Sequence, residues 1–301
     1  MAISRAQLVK ELEPGLNALF GLEYKNYANE HAEIFDTENS DRAFEEEVML
    51  SGFGNAEVKG EGTAVNYDDA KETFAARYTH ETLALAFSIT EEAIEDNLYD
   101  RLASRYTKAL ARSMANTKQV KAANVLNNAF DSNFTFGDGV ELCSAVHPIV
   151  AGTFKNELST AADLNETSLE QSLIDIAAFT DERGLKVAAR GVKMIIPSEL
   201  QFTAERLMKS AGRTGTADND INAIASMGMI PQGYRVNNYL TDSDSWYIMT
   251  DVPNGMKYFN RAPLTTAMEG DFDTGNVRYK ARERYAFGVS DPRGIFGCEG
   301  A

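Results

Sequence analysis

The sequence predicts an α+β protein whose subunit is flat and extended, and three of its segments support this prediction. Residues 91–127 have the pattern of one long helix, residues 48–88 form a glycine-rich excursion with strand character, and residues 275–298 alternate like a half-buried strand. At about 1.5 Å per residue the helix would be roughly 55 Å long, longer than a small domain is wide. Such a helix needs different packing partners along its length. A long core helix inside an ordinary globular protein is the alternative interpretation.

Composition limits the class of protein. The 301 residues are 44% hydrophobic, which is enough for a substantial core and a division into two domains. The formal net charge of −16 argues against binding to nucleic acid or to anionic membranes, because phosphate contacts need cationic surface. The two cysteines make no disulfide framework, the start lacks a signal-peptide layout, and no apolar run could span a bilayer. We therefore expect a soluble protein that is not secreted.

The first 47 residues form an acidic arm, with eleven Asp or Glu against four Lys or Arg. A short helix is predicted from Ser4 to Glu13, with Ser4 and Gln7 as a capping box and Pro14-Gly15 as its end. Aromatic residues follow without a clear period: Phe20, Tyr24, Tyr27, Phe35 and Phe44. This pattern favours a segment that docks on a surface, of this subunit or a neighbour. An ordinary N-terminal subdomain is the alternative.

The excursion over residues 48–88 is predicted to be a long two-stranded projection. Its glycines are Gly52, Gly54, Gly60 and Gly62. Glycines this dense indicate bends or a mobile tip, and an isolated hairpin is only marginally stable in water, so another subunit should order it. A phosphate-binding loop is a weak alternative, because the sequence contains no GxxxxGK[ST] and no GxGxxG between a strand and a helix.

The long helix is predicted to begin from a cap at Thr90, and no Gly or Pro interrupts it. Its acidic residues all precede its basic residues, the order that the helix dipole favours. An apolar residue recurs at every fourth position, and each such step drifts by about 40°, so the apolar stripe winds around the helix. The stripe comprises Ile94, Leu98, Leu102, Tyr106, Leu110 and Met114.

The later part of the chain alternates helices and strands. Residues 168–183 are predicted to be a helix with Gly184 at the C′ position, and its apolar face would comprise Leu169, Leu173, Ile176 and Phe179. VKMIIP at 192–197 has the composition of a buried strand, and Ser198 would cap the next helix. A polar loop at 212–222 follows, in which Ile221 is the one large apolar residue. Two short strands, YRVNNYL and WYIMTDV, come next.

The closing strand has a cationic face, which we call the cationic stripe: Arg278, Lys280, Arg282 and Arg284. The opposite face is apolar apart from Glu283. A plain solvated face is one interpretation. Alternatively, the stripe meets acids on the arm and hairpin of an adjacent subunit: Glu45, Glu46, Glu47, Asp68 and Asp69. Contact with DNA is a third and weaker alternative, because the stripe is short and the surrounding charge is acidic.

No residue pattern demands catalysis. Cys143 and His147 have the spacing of a pair of metal ligands, but no second pair of His or Cys completes a tetrahedral site. A structural histidine beside Pro148, with its hydrogen bonds made within the protein, is the favoured interpretation. There is no GxSxG elbow, and TADNDIN lacks the glycine and closing glutamate of a calcium loop. We expect neither a catalytic residue nor a metal or cofactor. An enzyme on an unfamiliar α+β fold is the remaining alternative.

Three consecutive segments resemble the Mu-like major head subunit family of tailed bacteriophages. They are DGVELCSAVHPIVAG, with the "DG, small residues, HP" element; SLEQSLIDIAAFTDERG, a helix and a glycine turn; and VKMIIPSELQFTAERLM, a strand–proline–helix unit. Upstream, ITEEAIEDNLYDRLASRYTKALARS and NVLNNAF are similar to the family's approach to its long helix. Downstream, VRYKARERYAFGVSDPRGIFG is similar to its closing strand and tail. The resemblance covers residues 75–297.

The resemblance implies the Hong Kong 97 capsid fold. Its parts would be an N-terminal arm (1–47), an extended hairpin loop (48–88), a spine helix (91–127), a peripheral domain (89–164 with 251–301) and an axial domain (165–250) whose tip loop (210–222) surrounds the capsomer axis. Some members carry a long N-terminal scaffolding region, whereas about 47 residues precede the hairpin here. We therefore expect a separate scaffold or none.

The resemblance also implies the function of a major capsid protein, which self-assembles as hexamers and pentamers into an icosahedral shell around double-stranded DNA. Portal and scaffold or decoration proteins would be partners, without sequence-specific DNA binding and without a membrane. The protein would reside in the virion, and in the host cytoplasm before assembly. An encapsulin-like cage of the same fold, storing a cargo enzyme, is the alternative.

Contacts between subunits are expected at the hairpin and on the closing strand. The candidate residues are Gly52, Gly54, Lys59, Gly60, Gly62, Arg278, Lys280, Arg282 and Arg284. One branch of the fold joins a hairpin Lys to an Asn of the peripheral domain, and Lys59 and Asn276 would be the counterparts. Because the residues around them do not resemble that branch, we expect no crosslink.

Overall fold

The computed structural model describes residues 5–90, 92–93, 99–213, 220–271 and 275–301. The helices are α1 (Arg5–Lys25), α2 (Tyr99–Asn127), α3 (Glu166–Ala177), α4 (Gln201–Lys209) and α5 (Ala223–Met227). The strands are β1 (Asp36–Asn39), β2 (Phe44–Leu50), β3 (Glu72–Thr79), β4 (Glu81–Ile89), β5 (His147–Ile149), β6 (Gly152–Phe154), β7 (Gly191–Ile196), β8 (Tyr234–Val236), β9 (Trp246–Thr250), β10 (Met256–Gly270), β11 (Val277–Val289) and β12 (Ile295–Cys298). None of the helices in the described part of the chain combines the length and apolarity needed to cross a bilayer.

Strand β11 lies inside the first of two four-stranded sheets, which we call the main sheet, with the order β1-β10-β11-β4. Its side chains alternate between the two faces, as the sequence predicted. Tyr279 and Ala281 are buried on one face, where they pack with Phe20 of α1 and Leu110 of α2. The cationic stripe lies on the other face. The amphipathic pattern of one strand therefore determines which side of the sheet the helices cover.

The second sheet has the order β12-β9-β7-β8 and contains the predicted strand VKMIIP as β7. Met194, Ile195 and Ile196 are completely buried, which explains the nearly continuous apolar run. Met194 and Ile196 face a core shared with α3, whereas Ile195 faces the core beside α2. Strand β7 thus connects the two hydrophobic cores. The two short strands predicted after the polar loop are confirmed as β8 and β9.

Helix α2 changes its packing partners along its length, as the winding stripe predicted. Leu110 and Met114 pack with α1 and the main sheet, whereas Leu126 packs with the second sheet and the end of the arm. Tyr106, another member of the predicted stripe, is about half exposed. The predicted beginning of the helix lies largely outside the described residues. Nevertheless, the hydroxyl of Thr90 accepts a 3.4 Å hydrogen bond from the N–H of Ala93, the contact expected of an N-cap.

The prediction that the first helix ends at Pro14-Gly15 is wrong, because α1 continues through Pro14 to Lys25. A proline inside a helix costs about 3 kcal/mol, since it removes a hydrogen bond and crowds the preceding turn. Burial of Leu16 and Phe20 against α2 and the main sheet offsets this cost. Ser4, half of the predicted capping box, lies outside the described residues.

Two predicted helix boundaries also need correction. Helix α3 ends at Ala177, and Gly184 is not its C′ residue but lies, with φ of 83°, in a tight turn closed by a bridge between Thr180 and Lys186. Leu169, Leu173, Ile176 and Phe179 are nevertheless all buried, as predicted. Ser198 is not an N-cap. It lies in a 3-10 turn, its hydroxyl bonds Glu199, and α4 begins at Gln201.

The end of the arm docks on α2 through His31. The His31 N–H donates to Oε1 of Gln119 at 2.9 Å, and the ring Nδ1 lies 2.9 Å from Nε2 of the same amide. The ring edge also packs against Tyr258 and Phe287. Burial of the ring, together with the charge of Lys118, lowers the pKa of His31 from 6.5 to about 4. The folded subunit therefore holds a neutral imidazole under this helix.

This pKa predicts an acid-dependent loss of stability. Unfolded chains bind a proton at His31 near pH 6.5, whereas folded chains bind it only near pH 4. The free energy of unfolding contributed by His31 should therefore be complete above pH 6.5 and be lost as the pH falls from 6.5 to 4. Urea unfolding of wild type and of His31→Gln across this range measures it. The variant should show a shallower decline, and identical slopes would contradict the assignment.

Candidate assembly surfaces

The hairpin, which we define as residues 44–79, covers one end of the open face of the main sheet. Its strands β2 and β3 pair antiparallel, from Phe44 with Thr79 to Leu50 with Glu72. Tyr78 packs its ring edge against Phe259 at a centroid distance of 4.7 Å. A Cβ atom at Gly288 would lie 2.6 Å from the Tyr78 ring, so this position requires glycine. The hairpin base therefore belongs to the core of its own subunit.

A buried lysine anchors the hairpin base and the arm to the same strand. The Lys257 side chain is 5% exposed and bonds a carboxylate oxygen of Glu47 on β2, while Glu38 on β1 lies 2.9 Å away. The Ser290 hydroxyl donates to the other oxygen of Glu47. Burial acts to lower the pKa of Lys257, but the two carboxylates raise it above its ordinary value. The lysine thus remains charged and holds both segments in place.

Beyond the strands, the hairpin loop (residues 51–71) consists of two legs joined by polar contacts rather than by a strand ladder. The contacts recur about every third residue: Ser51 with Lys71 (2.8 and 2.9 Å), Gly54 with Asp68 (2.7 Å), Glu57 with Asn66, and Gly60 with Thr63 (2.8 Å). Gly52 and Gly62 have φ of 65° and 78°, which suits glycine at these bends. The loop is therefore organised up to its tip.

The hairpin exposes apolar side chains over most of its length. They are Phe44, Val48 and Leu50 on the outer face of β2, and Phe53, Val58, Val65 and Tyr67 in the loop. Val58 and Tyr67 are almost completely accessible, at 101% and 96%. Lys59 is also exposed. A projection with this much apolar surface is typical of a protein–protein contact.

The cationic stripe occupies the part of the main sheet that the hairpin leaves open. Small residues of the adjacent strands flank it, since Lys280 lies opposite Ala86 and Ala267. Arg278 pairs with Asp271, while Lys280 and Arg282 have no carboxylate partner within the described ranges. The Nε of Arg284 is buried and finds no acceptor among the described residues. The stripe therefore differs from a fully solvated surface at its Arg284 end.

Three of the five acids suggested as partners of the stripe have cations in their own subunit. Arg77 lies 3.5 Å from Glu46, Lys257 bonds Glu47, and Arg183 bonds Asp68. These pairs were not identified from the sequence, because each joins residues that are distant along the chain or lie on different strands. A local signal existed for one of them: Lys257 is the polar residue in the apolar strand segment MKYF.

The two residues considered for a metal site, Cys143 and His147, have other roles within their own subunit. Asn156 and Asp138 contact the two ring nitrogens of His147, and Cys143 is buried in the core beside α2. Burial raises the pKa of the Cys143 thiol. Across the part of the chain that the structure describes, no group of three or more His, Cys, Asp or Glu side chains is arranged to hold a metal ion.

Solved capsid structures share this fold at low sequence identity. The capsid of cyanophage P-SCSP1u matches with a TM-score of 0.57 and 13% identity, over 89% of this chain and 86% of that chain. The capsid of the empty GTA particle matches with 0.54 and 14%, over 91% of each chain. The virus-like particle from Pyrococcus furiosus matches with 0.53 and 10%, over 94% and 97%. The fold is thus of the Hong Kong 97 type.

Comparison of sequences identifies the family. No curated protein sequence matches this chain. A family model described as phage capsid protein matches residues 71–297. This range includes helices α2 to α5, the hairpin strand β3, and both four-stranded sheets except β1 and the last residue of β12. The matched range extends over most of the 301 residues. The chain therefore belongs to the phage capsid protein family.

Proposed function

We propose that this capsid protein is the major head protein of a tailed phage of the Mu-like group, whose copies form hexamers and pentamers in an icosahedral shell. The observation that supports it most directly is the projecting hairpin loop, whose apolar side chains are accessible in the single subunit. In the shell these side chains would be buried against a neighbour. The protein would gather in the host cytoplasm before it enters the virion. Portal and scaffold or decoration proteins would be its partners.

The two cores support a proposed division into a peripheral domain (89–164 and 251–301) and an axial domain (165–250), beside the arm (1–47) and the hairpin range (48–88). The pairing of two strands changes the boundaries of this division. β4 lies inside the hairpin range but pairs with β11 of the main sheet. β12, inside the second peripheral range, pairs with β9 of the second sheet. The spine helix of the proposed peripheral domain is α2.

The molecules that the particle encloses distinguish this function from the alternative, an encapsulin-like cage. The net charge of −16 supports enclosure of double-stranded DNA without sequence-specific contact, because tight binding to phosphates needs an excess of cationic surface. A cage would instead contain a cargo enzyme. Nuclease-protected DNA in purified particles would support the phage head, and DNA-free particles that enclose a protein with enzyme activity would support the cage.

Removal of the first leg and the tip of the hairpin loop should separate folding from assembly. Deletion of residues 52–62 leaves the contact between Ser51 and Lys71 and the whole β2–β3 ladder. The deleted chain should fold with nearly unchanged thermal unfolding, because the tip contributes little to either core. It should form no closed shells, which sedimentation and electron microscopy would show. Normal shells from this variant would refute the role of the loop.

We also propose that the cationic stripe contacts an acidic surface of an adjacent subunit. Lys280 and Arg282 support this, because both are exposed cations without a carboxylate partner among the described residues. The partner acids would be ones that lack a cation in their own subunit, unlike Glu47 and Asp68. Exposed pairs contribute only about 0.2–1 kcal/mol each, but a shell repeats them at every subunit.

The test reverses two charges of the stripe that have no partner carboxylate among the described residues. Lys280→Glu with Arg282→Glu should block shell formation and leave thermal unfolding of the subunit nearly unchanged. Arg206→Glu with Lys186→Glu, two exposed cations outside the main sheet, is the matched control and should assemble normally. Equal shell yields from both double variants, at low and high salt, would show that the stripe is only solvated surface.

A further inference from the structure

The hairpin loop contacts its own subunit at a second point, far from the Lys257 anchor. The guanidinium of Arg183 donates to both carboxylate oxygens of Asp68, at 2.7 and 2.8 Å. The Gly54 N–H of the opposite leg donates to the same carboxylate at 2.7 Å. Asp68 therefore joins both legs of the loop to a residue 115 positions away in the sequence.

The turn that carries Arg183 is rigidly held. The side chain of Asp181 accepts the N–H groups of Arg183 at 2.9 Å and Leu185 at 2.8 Å. The adjacent Glu182 is buried and pairs with buried Arg293 at 2.7 Å. The Nε of Arg293 also donates to the carbonyl of Thr180 at 2.8 Å. Arg183 thus extends from a fixed platform that is continuous with the second sheet.

The loop is shaped to meet this platform. A Cβ atom at Gly54 would lie 3.3 Å from the Asp68 carboxylate and 3.5 Å from the Arg183 guanidinium, so a side chain there would crowd the contact. The Gly54 N–H and the Arg183 guanidinium hold the pKa of Asp68 below its usual range, so the carboxylate is charged at neutral pH. Gly54 therefore allows a close three-way contact rather than merely a flexible bend.

We propose that Arg183 is a positioning residue for assembly: it fixes the hairpin loop in one orientation on its own subunit, so that the exposed apolar side chains reach the neighbour correctly. This inference rests on the proposed shell-forming function. The loop lacks a strand ladder beyond residue 50, so without this contact only its base would fix its direction. Two anchors, Lys257 at the base and Arg183 along the leg, define an orientation that one anchor cannot.

Hydrogen exchange of the dissociated subunit measures the contact between Arg183 and Asp68 independently of assembly. In Arg183→Gln and in Asp68→Asn, amide exchange within residues 51–71 should rise by about fivefold, the upper end of what an exposed ion pair contributes. The double variant should exchange no faster than either single variant, because the two residues form one interaction. Arg183→Lys should lie between wild type and Arg183→Gln. Lys186→Gln, in the same turn, is the control and should match wild type.

Shell yield supplies the second readout. Arg183→Gln should form several-fold fewer closed shells than Lys186→Gln, with unchanged thermal unfolding. If both variants exchange alike, or assemble alike, the positioning role is refuted while the shell-forming function stands. If wild type itself forms no shells, the proposed function fails, and hydrogen exchange still decides whether Arg183 holds the loop.

Discussion

The structure depends on the alternation of β11, the inner strand of the main sheet. Its odd-numbered side chains face α1 and α2. Of its even-numbered side chains, the one at position 286 packs against the hairpin base, and those at 278–282 are exposed. Glu283 is the exception on the apolar face. It is 2% exposed and pairs with Lys118 at 3.1 Å, while Tyr24 of α1 lies at 3.4 Å. Burial raises the pKa of Glu283, and the lysine partly counteracts this. A charged pair thus lies between the arm helix, α2 and the sheet.

The two faces of this sheet are therefore used differently: one serves folding, and the other is the face for which we propose a role in assembly. The helix-covered face supplies core burial, while the opposite face receives the hairpin base at one end and presents the cationic stripe at the other. The protein has a net charge of −16, yet two of its acids, Glu47 and Asp68, hold the hairpin to its own subunit through Lys257 and Arg183. We infer that these intramolecular pairs direct the hairpin, and that its apolar surface supplies the affinity between subunits.

Sequence periodicity was sufficient for elements with a strong local pattern. β11, β7 and the described part of α2 were predicted because alternation, a continuous apolar run and an uninterrupted helical stripe are each local signals. The extension of α1 through Pro14 was not, because burial against distant elements outweighs the local proline signal. The anchors of the hairpin were also missed. Glu47 and Lys257 are 210 positions apart, and only the fold brings them together.

Electron cryomicroscopy of the purified, assembled protein tests the central claim most directly. We expect closed shells of hexamers and pentamers in which the hairpin loop is ordered, retains its contact between Asp68 and Arg183, and buries Val58 and Tyr67 against a neighbouring subunit. Particles in which these two side chains remain exposed to solvent, or a protein that stays monomeric under all assembly conditions, would contradict it.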